Sequence, residues 1–229
     1  MVNGLGEGNW RNSRRPVGLP FAGAVPSRGY NSVRPGSPRL PMIVKDEVAD
    51  LSSRYGKPVR RSFNVQADEY IYSYRFNKTI DRRAEVVFAI EDRTGKVWVH
   101  AKPHYPSHIF RLPSGGINWD ELVIDGLLRE VDEETRLPVE IIRFLGIIEY
   151  RFWHDGAVVP FASYVFHLRT KADLQLVQRN DEVSDFRVVP PSQIGQLALD
   201  LRSLIGDRHA WGQWRALAHD LVYDTLLCC

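Results

Sequence analysis

The chain is short of cysteine: 229 residues contain two, Cys228 and Cys229, adjacent at the C-terminal end. Sequence neighbours rarely pair with each other, so no disulfide framework can staple a domain, and the expected setting is the reducing cytoplasm. His100, His104, His108 and His154 show no ligand spacing, so no Cys or His cluster competes for a soft metal. Long apolar runs are also missing. None approaches the roughly 20 residues that cross a bilayer, so no membrane partner is expected. The opening MVNGLGEGNWRNSRRPVG lacks the apolar core of a secretory signal peptide. Methionine is scarce, with only Met1 and Met42, which suggests translation from Met42. No internal repeat is visible. What remains, 44% hydrophobic and 25% charged residues, describes an ordinary globular chain with enough length for one medium domain.

Charge is unevenly spread. Residues 1–41 hold six arginines against one acid, Glu7, a balance of +5, so the remainder carries −3 of the net +2. The same segment has seven glycines, six prolines and few aliphatics. It cannot bury enough apolar surface to offset its ordering entropy and reads as a disordered basic tail. Such a tail can touch nucleic acid, but a solvated tail is the favoured reading.

Residues 43–56 read as a short helix ending at Gly56. FNVQADEYIYSYRF (63–76) reads as extended, serving as an added strand or a homodimer surface. Residues 84–92 and 96–102 flank Arg93-Thr94-Gly95 as a hairpin, and IFRLP (109–113) is a short strand feeding a glycine pair. A helix follows. Its expected N-cap is Asn118, in a capping box with Glu121, and its buried stripe is Ile124, Leu127, Leu128 and Val131. It ends near Thr135, ahead of Pro138. Strands at 140–153 and 157–170 bracket His154-Asp155-Gly156. A strand at 186–190 and helices at 192–205 and 211–227 complete the chain. The absence of βαβ regularity argues for an α+β fold or a mixed-sheet sandwich.

The most informative stretch is Gly115 to Leu137, GGINWDELVIDGLLREVDEETRL. Gly115, Glu121, Arg129, Glu130, Val131, Glu133, Glu134 and Leu137 fall at fixed spacing. A chance match is on the order of one in a hundred thousand or rarer. On a helix, Glu130 and Glu134 are one turn apart with Glu133 beside them. Three like charges this close repel unless a cation sits between them. Carboxylate oxygens are hard ligands suited to Mg²⁺ or Mn²⁺, and Mg²⁺ habitually borrows phosphate oxygens. A phosphorylated substrate is therefore expected. Gly126, one turn before Glu130, either keeps this face open or serves packing.

The run resembles the Nudix box, G-x5-E-x7-R-E-U-x-E-E-x-G-U with U aliphatic, at every position but one: Arg136 stands where the family has its second glycine. A glycine there takes the left-handed conformation at the helix end, so its replacement suggests a different turn. The resemblance implies an α/β/α sandwich with a mixed β-sheet between helices. It divides the chain into the tail 1–41, an N-terminal extension 42–80 and a Nudix hydrolase domain 81–229.

It also implies a divalent-metal-dependent hydrolase of a nucleoside diphosphate linked to another group, a nucleotide sugar or dinucleoside polyphosphate among them. The implied metal ligands are Glu130, Glu133, Glu134 and the Gly115 backbone, with Arg129 orienting the glutamates. The general base is Glu133 or Glu182. Gly116, Lys102 and Arg111 are candidate phosphate contacts, although surface cations are the commoner role for the last two. Tyr150, Phe152, Trp153 and Phe161 could stack on a base but read more readily as core. Trp211 and Trp214 read as helix packing. A non-catalytic nucleotide-sensing module of the same fold, and a protein acting on RNA ends, are the alternatives. Retention of all the box glutamates favours the enzyme.

Overall fold

The structure, a computed structural model, describes residues 42–75, 82–106, 108–172 and 183–227. The arginine-rich segment 1–41, Glu182, Cys228 and Cys229 lie outside them. Five helices and seven strands follow in the order α1 (Lys45–Tyr55), β1 (Val59–Gln66), α2 (Glu69–Arg75), β2 (Ala84–Glu91), β3 (Val97–Ala101), β4 (Ser114–Ile117), α3 (Val123–Thr135), β5 (Glu140–His154), β6 (Ala157–Arg169), β7 (Asp185–Val189), α4 (Ile194–Arg202) and α5 (His209–Leu227).

The strands form one mixed sheet in the order β1-β5-β6-β2-β3-β7, with β4 also paired to β2. The β1/β5 and β2/β6 pairs are parallel and the others antiparallel. Alternation along the strands sends side chains to both faces. From β2, Val86, Phe88 and Ile90 join α1 and α3 through Val48, Leu51, Val123, Leu127 and Val131. Val87 and Ala89 point the other way, to a second core with Ile71 of α2, Leu197 of α4 and Trp214 and Leu221 of α5. The arrangement is the expected mixed sheet between helices. It also resolves the aromatic question for three residues: Tyr150, Phe152 and Phe161 are buried around Trp214, while Trp153 is exposed.

Several local expectations are corrected. The 63–76 stretch is extended only in its first part. β1 adds to the sheet edge beside β5, and then Asp68 accepts a hydrogen bond from Ile71 N (2.9 Å) and starts α2. An Asp two residues after the strand is an N-cap, and it overrides the β propensity of the tyrosines. The segment 109–113 makes only an isolated bridge, His100 to Arg111. The strand is instead Ser114–Ile117, so the glycine pair lies on β4, opposite Glu85 and Val86 of β2.

The box helix also begins later than Asn118. Glu121 Oε2 does accept the Asn118 N–H (3.0 Å), but in a turn before the helix, and Leu122 occupies the cap without a side-chain bond. The missing acceptor comes from α1: Glu47 Oε1 takes the Val123 N–H at 2.7 Å. The buried stripe is correspondingly Val123, Leu127 and Val131. Leu128 is 44% exposed, because the helix turns its Gly126–Glu134 side inward. Gly126 serves packing, since a Cβ there would press on the Glu121 carboxylate and Ile117.

Arg136 does not create a different turn. It adopts the left-handed conformation itself (φ 53°, ψ 23°), and its N–H bonds to Asp132 O at 3.0 Å. The geometry expected of a glycine is kept, at a strain of about 1 kcal/mol.

Glu47 also forms a buried ion pair with Arg83 (2.9 Å), which in turn donates to Glu121 O (2.9 Å). Removing one member of a buried pair strands the other charge. Glu47→Ala is expected to cost about 3–5 kcal/mol in urea unfolding. Arg136→Gly, by contrast, should stabilise by roughly 0.5–1 kcal/mol, read as a raised Tm with the box chemistry intact.

Candidate active site

β4 places Gly115 and Gly116 against the N-terminal half of β2, and α3 lies across them. Closeness is possible because Gly115 has no side chain: a Cβ there would collide with the Glu130 carboxyl. Arg129 ties the region together. Its Nε and Nη2 reach Glu121 (2.8 and 2.9 Å), and Nη1 reaches Glu130 (2.8 Å) and Glu133 (3.1 Å). Nη2 also donates to Gly116 O at 2.7 Å. One guanidinium therefore fixes three box carboxylates and the glycine strand, using the planar fork that a lysine lacks.

The glutamates experience different environments. Glu133 is half exposed. Glu130 is largely shielded, and burial raises its carboxyl above the ordinary range despite the opposing pull of Arg129. Glu121 moves the other way: burial is outweighed by the Arg129 and Asn118 hydrogen bonds, which hold it low. Glu134 is 1% exposed, and burial pushes its carboxyl up to about 7. Lys102 Nζ forms an ion pair with it at 3.3 Å and is the one donor near its oxygens among the described residues. His100 Nδ1 stands 3.9 Å away. Burial, reinforced by Arg111 and Lys102, keeps His100 neutral, so it adds no charge to the pair.

Beside this face lies a cleft of about 300 Å³. Gly115, Gly116, Glu130 and Glu133 line one side, and Lys102, Arg111, Arg82 and Arg215 supply cations. Glu134 does not line the cleft and sits behind Lys102. The surface-cation reading fails for Arg111, which is 5% exposed. Its Nε donates to Tyr105 Oη (2.6 Å) and its Nη1 to Ser114 Oγ (2.9 Å). Of the expected site residues, the structure thus brings together Arg129, Glu130, Glu133, Gly115, Gly116, Lys102 and Arg111, with Glu134 immediately behind; Glu182 is outside the described residues.

Sequence reasoning missed Tyr70, Glu85, Tyr105 and Arg215 at this cleft; Trp211 packs in the core as expected and also lines the cleft. Glu85 accepts from Arg215 Nη1 (2.7 Å) and Ser163 Oγ (2.6 Å), so it is neutralised in place. None of these residues belongs to a spaced motif. Only β4 opposing Glu85 and the fold-back of α5 reveal them. His219 holds α5 there: Nε2 accepts from Leu112 N (2.9 Å), Nδ1 donates to Arg215 O (2.9 Å), and burial keeps its pKa down at about 3.

Among the described residues, no three His, Cys, Asp or Glu side chains form a ready-made metal cage. The donor set nonetheless fits a divalent cation. It is all hard oxygen, Gly115 lets a glutamate approach its backbone, and among the described residues the two buried oxygens of Glu134 lack well-aligned hydrogen-bond donors, with only Lys102 Nζ near.

The family described as NUDIX domain matches residues 81–208. No curated protein matches the chain. Among solved structures it is similar to a UDP-X diphosphatase at 13% identity, covering 80% of this chain and 71% of that one, with TM-score 0.42. It is similar to an ADP-ribose pyrophosphatase from Streptococcus suis 89-1591 at 18% identity, covering 63% and 91%, with TM-score 0.41. A dihydroneopterin triphosphate pyrophosphohydrolase from E. coli is 15% identical, with 58% and 94% covered and TM-score 0.37. At these levels the three likenesses say nothing of substrate.

Glu134 gives a pH test. An unfolded glutamate titrates near 4.5, and the folded one near 7. Between these values the folded chain holds a proton that the unfolded chain has released, so stability falls as pH rises and levels off above about 7. Urea unfolding in EDTA should show a loss on the order of 3 kcal/mol across this window. Glu134→Gln should flatten it.

Proposed function

The chain belongs to the Nudix family, and on that premise we propose that it is a divalent-metal-dependent hydrolase of a diphosphate bond in a nucleoside diphosphate linked to another moiety. The observation that carries this reading is the shared wall of one cleft: box carboxylates pinned by Arg129 on one side, Lys102 and the buried Arg111 on the other. Acids alone would repel a phosphate, and cations alone would hold it without cleaving it. Together they suit a substrate whose charge is divided between a metal and guanidinium or ammonium groups.

Glu130, Glu133, Glu134 and the Gly115 carbonyl would hold Mg²⁺ or Mn²⁺. When bound, the ion supplies charge neutralisation at phosphate oxygens and lowers the pKa of water. The protein's own groups do the rest. Arg129 fixes Glu130 and Glu133 relative to Gly116. Glu121 and the turn at Asn118 fix Arg129 in turn. Lys102 and Arg111 orient the diphosphate, with Gly116 offering backbone beside it. The proton of the attacking water passes to Glu133, which lines the cleft, or to Glu182.

The buried Glu134 favours binding a cation over binding a proton only when a cation is near, because burial alone keeps it protonated up to about pH 7. Metal binding should therefore weaken below neutrality.

The test is chromatographic profiling of the phosphorylated products formed from ADP-ribose, nucleotide sugars, dinucleoside polyphosphates, NADH, nucleoside triphosphates and capped RNA, with Mg²⁺, Mn²⁺ or EDTA. EDTA-sensitive cleavage of one group is expected. Glu134→Gln should reduce kcat at least about 100-fold while circular dichroism stays unchanged. Wild-type turnover in that variant would remove Glu134 from the site.

A further inference from the structure

We propose that the end of the cleft formed by Tyr70, Tyr105 and Trp211 is a nucleoside subsite, with Arg111 holding the adjoining 5′-phosphate. This deepens the hydrolase reading and rests on it for the placement of the scissile bond at the carboxylate end.

Two observations point there. The first is an aromatic cluster on the cleft wall. Tyr105 and Trp211 lie 5.2 Å apart between ring centroids, and Tyr70 meets Trp211 edge-on at 6.5 Å. All three line the cleft that also contains Gly115 and Glu130. Trp211 is itself buried in the core beneath the wall, while Tyr70 and Tyr105 stay half-buried and pack onto the core from its edge, where the cleft opens.

The cluster is also held rigid from behind. Arg208 stacks over Tyr70 at 4.2 Å and lies 5.7 Å from the Trp211 ring. Asp68 bonds Ile71 N of α2 with one oxygen and Ala210 N of α5 with the other. Two helices distant in sequence are thereby clamped so that Tyr70 faces Trp211. Stacking platforms benefit from such pre-organisation.

The second observation is the charge of Arg111. Arg111 is 5% exposed, yet among the described residues its hydrogen-bond partners are neutral: Tyr105 Oη, Leu112 O and Ser114 Oγ. A buried cation with only neutral acceptors is costly, and an anion in the cleft removes the cost. Arg111 also sits where a linking phosphate is needed. It touches Tyr105 on the aromatic side and Ser114, the neighbour of Gly115, on the carboxylate side. An aromatic ring, then a phosphate, then a second phosphate on the carboxylate face is the order of groups in a nucleoside diphosphate.

Tyr70 and Trp211 fall outside residues 81–208, so base recognition would come from the segments flanking the matched domain.

The experiment is calorimetric titration of the full chain in EDTA with AMP, GMP, CMP and UMP, and with ribose 5-phosphate as the ring-free control. At least one nucleotide should bind at least about 10-fold more tightly than ribose 5-phosphate. Tyr70→Leu should abolish that difference, and Arg111→Met should weaken both ligands. Trp211→Leu tests the same platform, and Tyr70→Leu decides if that variant fails to fold. Nucleotides binding no better than ribose 5-phosphate, or an unchanged Tyr70→Leu, would overturn the subsite. Because EDTA removes metal, the two readings separate. Nucleotide binding without turnover of any diphosphate sinks the hydrolase and keeps the subsite. Turnover without EDTA-resistant nucleotide binding does the reverse.

Discussion

Like charge is the constraint around which this molecule is arranged. Glu130, Glu133 and Glu134 occupy little more than one turn of α3, and Glu121 approaches from the preceding turn. Left alone, they would weaken the helix. Arg129 resolves most of the conflict by spreading its five donors over Glu121, Glu130, Glu133 and the Gly116 carbonyl. Lys102, the residue after β3, offsets Glu134. The box spacing is a statement of this geometry: Arg129 lies eight residues after Glu121, one before Glu130 and four before Glu133, so a single planar group can reach all of them.

Delivery of that helix to the sheet depends on parts of the chain remote in sequence. Glu47 on α1 accepts the first N–H of α3 and pairs with Arg83, which also holds Glu121 O. On the other face, His219 of α5 accepts the Leu112 N–H next to Arg111. The box helix and the cleft beside it are thus braced from the extension before the matched domain and from the helix after it. Because these braces are buried, removal of one partner costs far more than the bond itself.

Periodicity and turn chemistry made the hairpins, the terminal helices and the mixed sheet legible in the sequence, and the box spacing made the carboxylate cluster legible. The failures have physical causes. Helix α3 starts late because its N-terminal acceptor is Glu47, 76 residues away, and no local pattern encodes it. Leu128 faces solvent because the inward side of the helix carries Val123, Leu127, Val131 and Glu134, a stripe one step round from the expected one. Arg136 retains the left-handed turn because the Arg136 N–H bond to Asp132 and the packing beyond it tolerate the strain. Arg111 read as a surface cation because nothing local announces that Tyr105 and Ser114 enclose it. The aromatic wall of the cleft was invisible for the same reason: Tyr70 and Trp211 are 141 positions apart and meet only when α2 and α5 pack.

That separation suggests a division of labour. The acids that suit a divalent ion lie within one motif, and Arg129 fixes Glu130 and Glu133. The groups suited to recognising the rest of a substrate come from four places: α2, the loop after β3, the strand-like segment before β4, and α5. A motif whose members constrain each other tolerates little change, since losing Arg129 would release several carboxylates at once. A wall assembled from flanking segments can vary without disturbing that balance. Arg215 illustrates the boundary between the two: it lines the cleft, yet Glu85 pairs with it at 2.7 Å. Arg111 differs: among the described residues its hydrogen-bond partners are all neutral.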